Sequence, residues 1–164
     1  MKIRYKGTII NGCGKHSELG VPGRTTLREA PDDWPDVLAP GSLNVLVASS
    51  GYPYIYRQLD IPTLVSILDN GFFKPVFTIE HAKFVNNQII PTAQNPQNGM
   101  GQVWRTTLLA ESNDIECWML RRIGSGLKNQ IELVSHEDIR ATYGLDKNRR
   151  WPVTVIVEGK QCAT

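Results

Sequence analysis

Apolar and polar residues alternate along most of this chain, and helical spacing is rare. Ile3, Tyr5 and Ile9 alternate with polar residues, apart from Gly7. Residues 2–10 therefore predict a first strand, because successive side chains of a strand face opposite ways. Branched apolar residues fill 43–48, directly after the Pro40-Gly41 turn signal, and predict a second strand. Residues 51–57, rich in tyrosine, read as extended, and Val76 and Thr78 mark a further strand. Residues 83–85 and 88–90 flank Asn86-Asn87, a dipeptide suited to a tight hairpin turn. Two longer strands, 102–110 and 115–121, are joined by Glu111-Ser112-Asn113-Asp114. Residues 130–134 give a short strand, and Val153, Val155 and Val157 define a last one over 151–158.

Two stretches carry helix signals. In residues 60–71, Pro62 suits the first turn, Gly71 suits the C-terminal cap, and Leu64, Ile67 and Leu68 form an apolar face. The second opens with Ser135 as N-cap and an acidic residue three positions on, runs to about Tyr143, and stops at Gly144. Residues 91–101 have no apolar period and read as a long loop, either a lid over a site or a plain surface insertion. Residues 122–129 form a Gly/Ser loop. Many short strands with so few helices predict a mostly-β domain spanning residues 1–164. A closed barrel removes the exposed strand edges of such a domain, whereas a wound α/β layout needs a helix between most strands.

The chain has 164 residues, enough for one domain with a substantial core. A net charge of +2 gives no strong basic footprint for nucleic acid. No stretch has the apolar length of a membrane span, and the first residues show no hydrophobic signal-peptide region. The three cysteines, Cys13, Cys117 and Cys162, are odd in number and form no C-x-x-C pair. That argues against a disulfide framework or a zinc site, and fits a reducing cytoplasm. His16, His81 and His136 are likewise isolated.

Candidate chemistry lies in two places. Ser42 and Asn44 are two apart at the mouth of the second strand, so their oxygens share a face. Such a pair either satisfies the turn backbone or holds a Mg²⁺ that keeps most of its water and takes its charge partner from a phosphate. The loop Gly12-Cys13-Gly14-Lys15-His16-Ser17 has two glycines that let backbone N–H groups converge on an anion, and a lysine to supply charge. A glycine-rich hairpin turn has the same composition. Arg24 and Arg28 face either a phosphate or solvent.

Taken in order, three segments resemble the archaeal CTP-dependent riboflavin kinases. Gly7-Thr8-Ile9-Ile10-Asn11-Gly12-Cys13-Gly14-Lys15 is similar to that family's G-x-V-x-S-G-L-G-E-G strand and loop. Pro40-Gly41-Ser42-Leu43-Asn44-Val45 is similar to its P-G-T-L-N-V motif. Ile131-Glu132-Leu133-Val134-Ser135-His136-Glu137-Asp138-Ile139-Arg140, followed by Gly144-Leu145, is similar to its I-E-I-I-A-P-x-x-L-R…L-G-L ending. Residues 48–102 match poorly.

The resemblance implies a six-stranded Greek-key β-barrel of the cradle-loop type. It also implies transfer of the γ-phosphate of CTP to the ribityl 5′-hydroxyl of riboflavin, giving FMN and CDP. By the same resemblance Gly12, Cys13, Gly14, Lys15, His16, Ser17, Glu137, Asp138, Ile139 and Arg140 lie by the nucleotide. Ser42 and Asn44 ligate Mg²⁺, with serine in place of threonine. Glu132 is the catalytic carboxylate beside the attacking hydroxyl, and the family's flavin-contacting threonine falls on Gly124 or, with a one-residue slip, on Ser125. The chain departs from the pattern at Lys15 and His16, at Ser135-His136 in place of A-P, and at the Asp-Lys-Asn-Arg-Arg turn 146–150 in place of a D-G-D type turn. Two other readings remain beside this one. One is a barrel that binds a nucleotide or another phosphorylated small molecule without the kinase chemistry. The other is a protein-interaction module using the 91–101 loop.

Overall fold

Each alternating stretch has one apolar face to bury, and six of them bury it against one another. The computed structural model describes residues 2–11, 20–47, 73–127 and 129–161. These form β1 (Lys2–Ile10), β2 (Leu43–Val47), β3 (Phe73–Lys74), β4 (Phe77–Ile79), β5 (Gly101–Ala110), β6 (Asn113–Arg122), β7 (Gln130–Val134), β8 (Trp151–Glu158) and β9 (Lys160–Gln161). A 3₁₀ turn at His81–Lys83 and a short helix, α1 (Ile139–Tyr143), complete the described elements. The predicted helix at 60–71, the extended stretch at 51–57 and the glycine loop at 12–17 lie outside the described residues.

β1, β2, β7, β6, β5 and β8 pair antiparallel in that order, and β8 pairs back onto β1. The sheet is therefore a closed six-stranded barrel. Within it β5, β6 and β7 are consecutive neighbours, and β8 returns to lie beside β5. That spatial order is a Greek key. β4 lies outside the ring, pairing with the first residues of β5. Phe73 and Lys74 pair with Gln161 and Lys160 in a two-stranded sheet that the sequence pattern does not announce.

The barrel interior is filled. Tyr5, Ile9, Val45, Trp104, Leu108, Ile115, Met119, Ile131, Leu133 and Val155 belong to one buried cluster. Gly7 breaks the alternation of β1 for a steric reason. A Cβ there would meet the Leu46 carbonyl oxygen at 2.5 Å and Val45 Cγ1 at 2.8 Å.

Strand residues of the opposite parity make a second layer outside the barrel. Val103, Trp118, Leu120 and Val134 pack there with Ala30, Trp34, Ile79 and Phe84. Two-sided burial explains why β6 is buried without a break from Cys117 to Arg122. Trp34 anchors this layer. It meets Trp118 edge-on at 5.2 Å and Phe77 at 5.0 Å, and its Nε1–H donates to the Pro22 carbonyl at 3.0 Å.

Two local expectations are corrected. Residues 83–90 do not form a hairpin. Val85 instead exchanges backbone hydrogen bonds with Gly20, and Asn86 adopts φ 60°. A side chain from a distant part of the chain decides this. Buried Arg122 donates to the Gly99 carbonyl (2.9 and 2.7 Å), to Asn87 Oδ1 (3.1 Å) and to the Ile89 carbonyl (3.4 Å). Its guanidinium also lies 4.3 Å from the Phe84 ring centroid, so one cation gathers the whole 84–99 segment.

The second correction concerns α1, which begins at Ile139 rather than after Ser135. Asp138 is the N-cap, its Oδ1 accepting from Ala141 N–H, while Ser135 Oγ accepts from Glu137 N–H in the preceding turn. Gly144 ends the helix in the left-handed region at φ 68°, as expected. The β5–β6 connection is also tighter than the pattern implies. Ala110 pairs with Asn113 across Glu111-Ser112, with Glu111 at φ 56°.

Trp34→Ala is expected to lower the unfolding free energy by about 3–5 kcal/mol, since it empties the centre of the outer layer; a denaturant titration reads this directly. Cys117 is buried on the inner face, and desolvation pushes its thiol up to about 12. Because the thiolate is the reactive form, Cys117→Ser should leave the number of thiols labelled in the native protein unchanged. In denaturant the variant should lose one.

Candidate functional site

With the interior packed, space for a ligand lies at a mouth of the barrel. A cavity of about 480 Å³ opens where β1 ends, β2 begins and β7 gives way to α1. Ile10 and Asn11 line it from β1, and residues 39–44 line it from the turn into β2. Leu133 and Ser135 line it from the end of β7, and Glu137, Asp138, Ile139 and Arg140 from the start of α1. Lys147 contributes from the turn before β8. Gly41 sits at φ 79°, a conformation glycine adopts without strain, and delivers Ser42 to this wall. The Ala39 N–H donates to the Ser135 carbonyl at 2.8 Å, tying the entry of β2 to the exit of β7.

Ser42 Oγ and Asn44 Oδ1 are both buried, and neither has a hydrogen-bond partner among the described residues. Asn44 as a whole is only 6% exposed. A buried acceptor left unpaired costs about 1–3 kcal/mol, a cost that a ligand at this wall would relieve for both. They are hard, neutral oxygens, and among the described residues no group of three or more His, Cys, Asp or Glu is able to hold a metal ion. That donor set fits a Mg²⁺ that keeps water and phosphate ligands.

The register extends the site outward. Ile10, Asn44, Glu132, Leu120, Val103 and Phe77 stand directly opposite one another across successive strands, all on the outer face. Asn44 and Glu132 are thus cross-strand neighbours, the one polar pair at the head of an apolar row. Glu132 is buried, at 6% exposure. Burial pushes the Arg122 guanidinium down from its usual value, and the charge of Glu132 opposes that. Glu132 does not line the cavity itself.

The other sequence-predicted residues divide. Glu137, Asp138, Ile139 and Arg140 all reach the cavity, but their polar groups are largely engaged. Asp138 caps α1. Glu137 Oε1 accepts from the Tyr143 hydroxyl at 3.0 Å, which pushes that phenol up. Arg140 donates to the Leu145 carbonyl (3.1 Å), the Ile10 carbonyl (3.3 Å) and Asn11 Oδ1 (3.2 Å), so it clamps the end of β1 to the end of α1. Its burial pushes it down from the usual guanidinium value, opposed by Asp138 and Asp146.

Ser125 is not brought to the cavity. Its Oγ accepts from Leu127 N–H inside the loop after β6. Gly12, Cys13, Gly14, Lys15, His16 and Ser17 fall outside the described residues. The 91–101 loop contributes nothing to the cavity lining either; it is pinned to β6 through Arg122 and through Gly99 N–H to the Ile123 carbonyl at 2.8 Å. Lys147 is the site residue that sequence reasoning missed, although its turn stood out as a departure from the family pattern.

A scan against protein-family models returns no match for this chain, and a search of curated proteins returns none. Among the described residues no helix is long and apolar enough to cross a membrane.

Removing a buried oxygen that has no partner relinquishes no hydrogen bond. Ser42→Ala should therefore leave unfolding free energy in the absence of ligand within about 0.5 kcal/mol of wild type or slightly above it. A loss of about 1.5 kcal/mol or more in a denaturant titration would show that the hydroxyl serves the fold instead.

Proposed function

We propose that this protein is a Mg²⁺-dependent phosphotransferase of the riboflavin-kinase type, moving the γ-phosphate of CTP to the 5′-hydroxyl of riboflavin to give FMN and CDP. The observation that carries the reading is the pair of unpartnered buried oxygens, Ser42 Oγ and Asn44 Oδ1, in a cavity also lined by Glu137, Asp138, Ile139 and Arg140. Three separate segments that resemble the kinases thus meet in one place: the end of β1, the start of β2 and the β7–α1 junction.

Phosphoryl transfer asks a protein mainly for positioning and charge neutralisation. When bound, Mg²⁺ supplies positive charge to the phosphate oxygens. Ser42 and Asn44 would hold it, offering oxygens that need no deprotonation. Arg140 fixes the cavity rim at the end of β1, since it grips Ile10 and Asn11. By the resemblance Glu132, the cross-strand neighbour of Asn44, would orient an acceptor hydroxyl and take its proton, although it stands outside the cavity lining.

A second reading is a barrel that binds a nucleotide or another phosphorylated molecule without the transfer. It draws support from Glu132 and Ser125, which stand outside the cavity lining.

Incubation with riboflavin, Mg²⁺ and either CTP or ATP separates the two. FMN is expected with CTP alone, and Ser42→Ala and Asn44→Ala are each expected to slow its formation by about a hundredfold or more. CTP binding with no FMN from either donor favours the second reading. Full activity in both variants rejects the metal assignment.

A further inference from the structure

We propose that Lys147 is the residue that receives the phosphate charge of the di- or triphosphate ligand implied by the proposed function. The inference rests on the cavity being the working site, and it assigns a residue that the family resemblance does not.

Two described cations line the cavity, Arg140 and Lys147. Arg140 is already committed to two backbone carbonyls and Asn11 Oδ1. Lys147 is exposed and forms no hydrogen bond or ion pair among the described residues. The turn that presents it is fixed by its neighbours. Asp146 Oδ1 accepts from Asn148 N–H, and the Asp146 carbonyl accepts from Trp151 Nε1–H. Arg149 is drawn to Glu111 at 3.5 Å and lies 4.1 Å from the Trp151 ring centroid. An ammonium at a cavity wall that no protein carboxylate engages is free to meet an anion, and a lysine meets phosphate as a compact point charge.

The second observation is independent of Lys147. Asn44, more than nine-tenths buried, lines the same cavity and carries an unpartnered side-chain oxygen. The wall also holds two carboxylates, Glu137 and Asp138, so its described charges balance. A bare phosphate gains little from a neutral wall. A ligand that brings its own divalent cation does better, because its metal answers to the Ser42 and Asn44 oxygens while its remaining charge answers to Lys147. Di- and triphosphates chelate Mg²⁺ in this way, and a cavity of about 480 Å³ has room for far more than one phosphate group.

Calorimetric titration with Mg²⁺ and CTP, ATP, cytidine or inorganic tripolyphosphate tests this in wild type, Lys147→Met and Lys147→Arg. Lys147→Met is expected to weaken CTP binding by about ten- to a hundredfold. Its melting temperature and its cytidine affinity should stay at wild-type values, and Lys147→Arg should retain most of the CTP affinity. Wild-type CTP affinity in Lys147→Met overturns the assignment while leaving the nucleotide reading intact. Binding of tripolyphosphate but of neither nucleotide, still dependent on Lys147, supports the assignment and rejects the nucleotide reading. No binding of any phosphate compound by wild type overturns both.

Discussion

Closure of the barrel through β5 and β8 governs the rest of the molecule. Thr106–Ala110 pair with Val157–Val153, and that ladder turns an open sheet with two edges into a ring. Once the ring is shut, every strand has a fixed inside and outside, and a slip of one residue would reverse both. Tyr5, Trp104, Leu108 and Met119 then fill an interior that six strands make too narrow for anything but side chains. Ligand space is displaced to the mouth, where strands meet loops. β5 also serves a second purpose. Gly101–Val103 lie beyond the ladder with β8 and pair with Ile79–Phe77 instead, which brings β4 and the outer layer against the barrel.

Two arginines do similar work at different places. Arg122 collects the Gly99 and Ile89 carbonyls, and Arg140 collects those of Ile10 and Leu145. In both cases a planar fork of donors gathers backbone carbonyls at a strand end or in a loop. Both guanidiniums lose solvation in doing so, which lowers their affinity for protons relative to a free arginine. The loops they organise owe their shape to a charge inserted from elsewhere in the chain. Lys147 differs in kind: it organises nothing among the described residues.

The strand pattern of the sequence was a good guide to the barrel because each strand's own alternation encodes its buried face. β1, β5, β6, β7 and β8 lie within a few residues of where their periodicity puts them. The hairpin expected around Asn86-Asn87 failed for the opposite reason. Its local signal was sound, but Arg122 and Gly20 bind that segment from a distance that no window of sequence spans. The start of α1 was misjudged because Ser135 and Asp138 are both capable caps, and only the packing chooses. At the site, Ser42, Asn44 and the 137–140 segment were legible from motif order. The clamp role of Arg140 was not, since its partners Ile10 and Asn11 come from the other end of the chain. Lys147 was visible only as an irregularity in a turn.

The register of β1 carries a kinetic consequence. This strand is flanked by β2 on one side and by β8 on the other, with Lys2 opposite Glu158 and Ile9 opposite Trp151. β1 therefore waits for β8, distant from it along the chain, before its second edge is covered. Loop-closure entropy is spent before those distant pairings return any stability, which places such topologies among slow folders, on scales of about milliseconds to seconds. During that interval the incomplete ring exposes strand edges that invite mispairing. The cavity at its mouth, built from residues as far apart as Ile10 and Lys147, is among the last features to take shape.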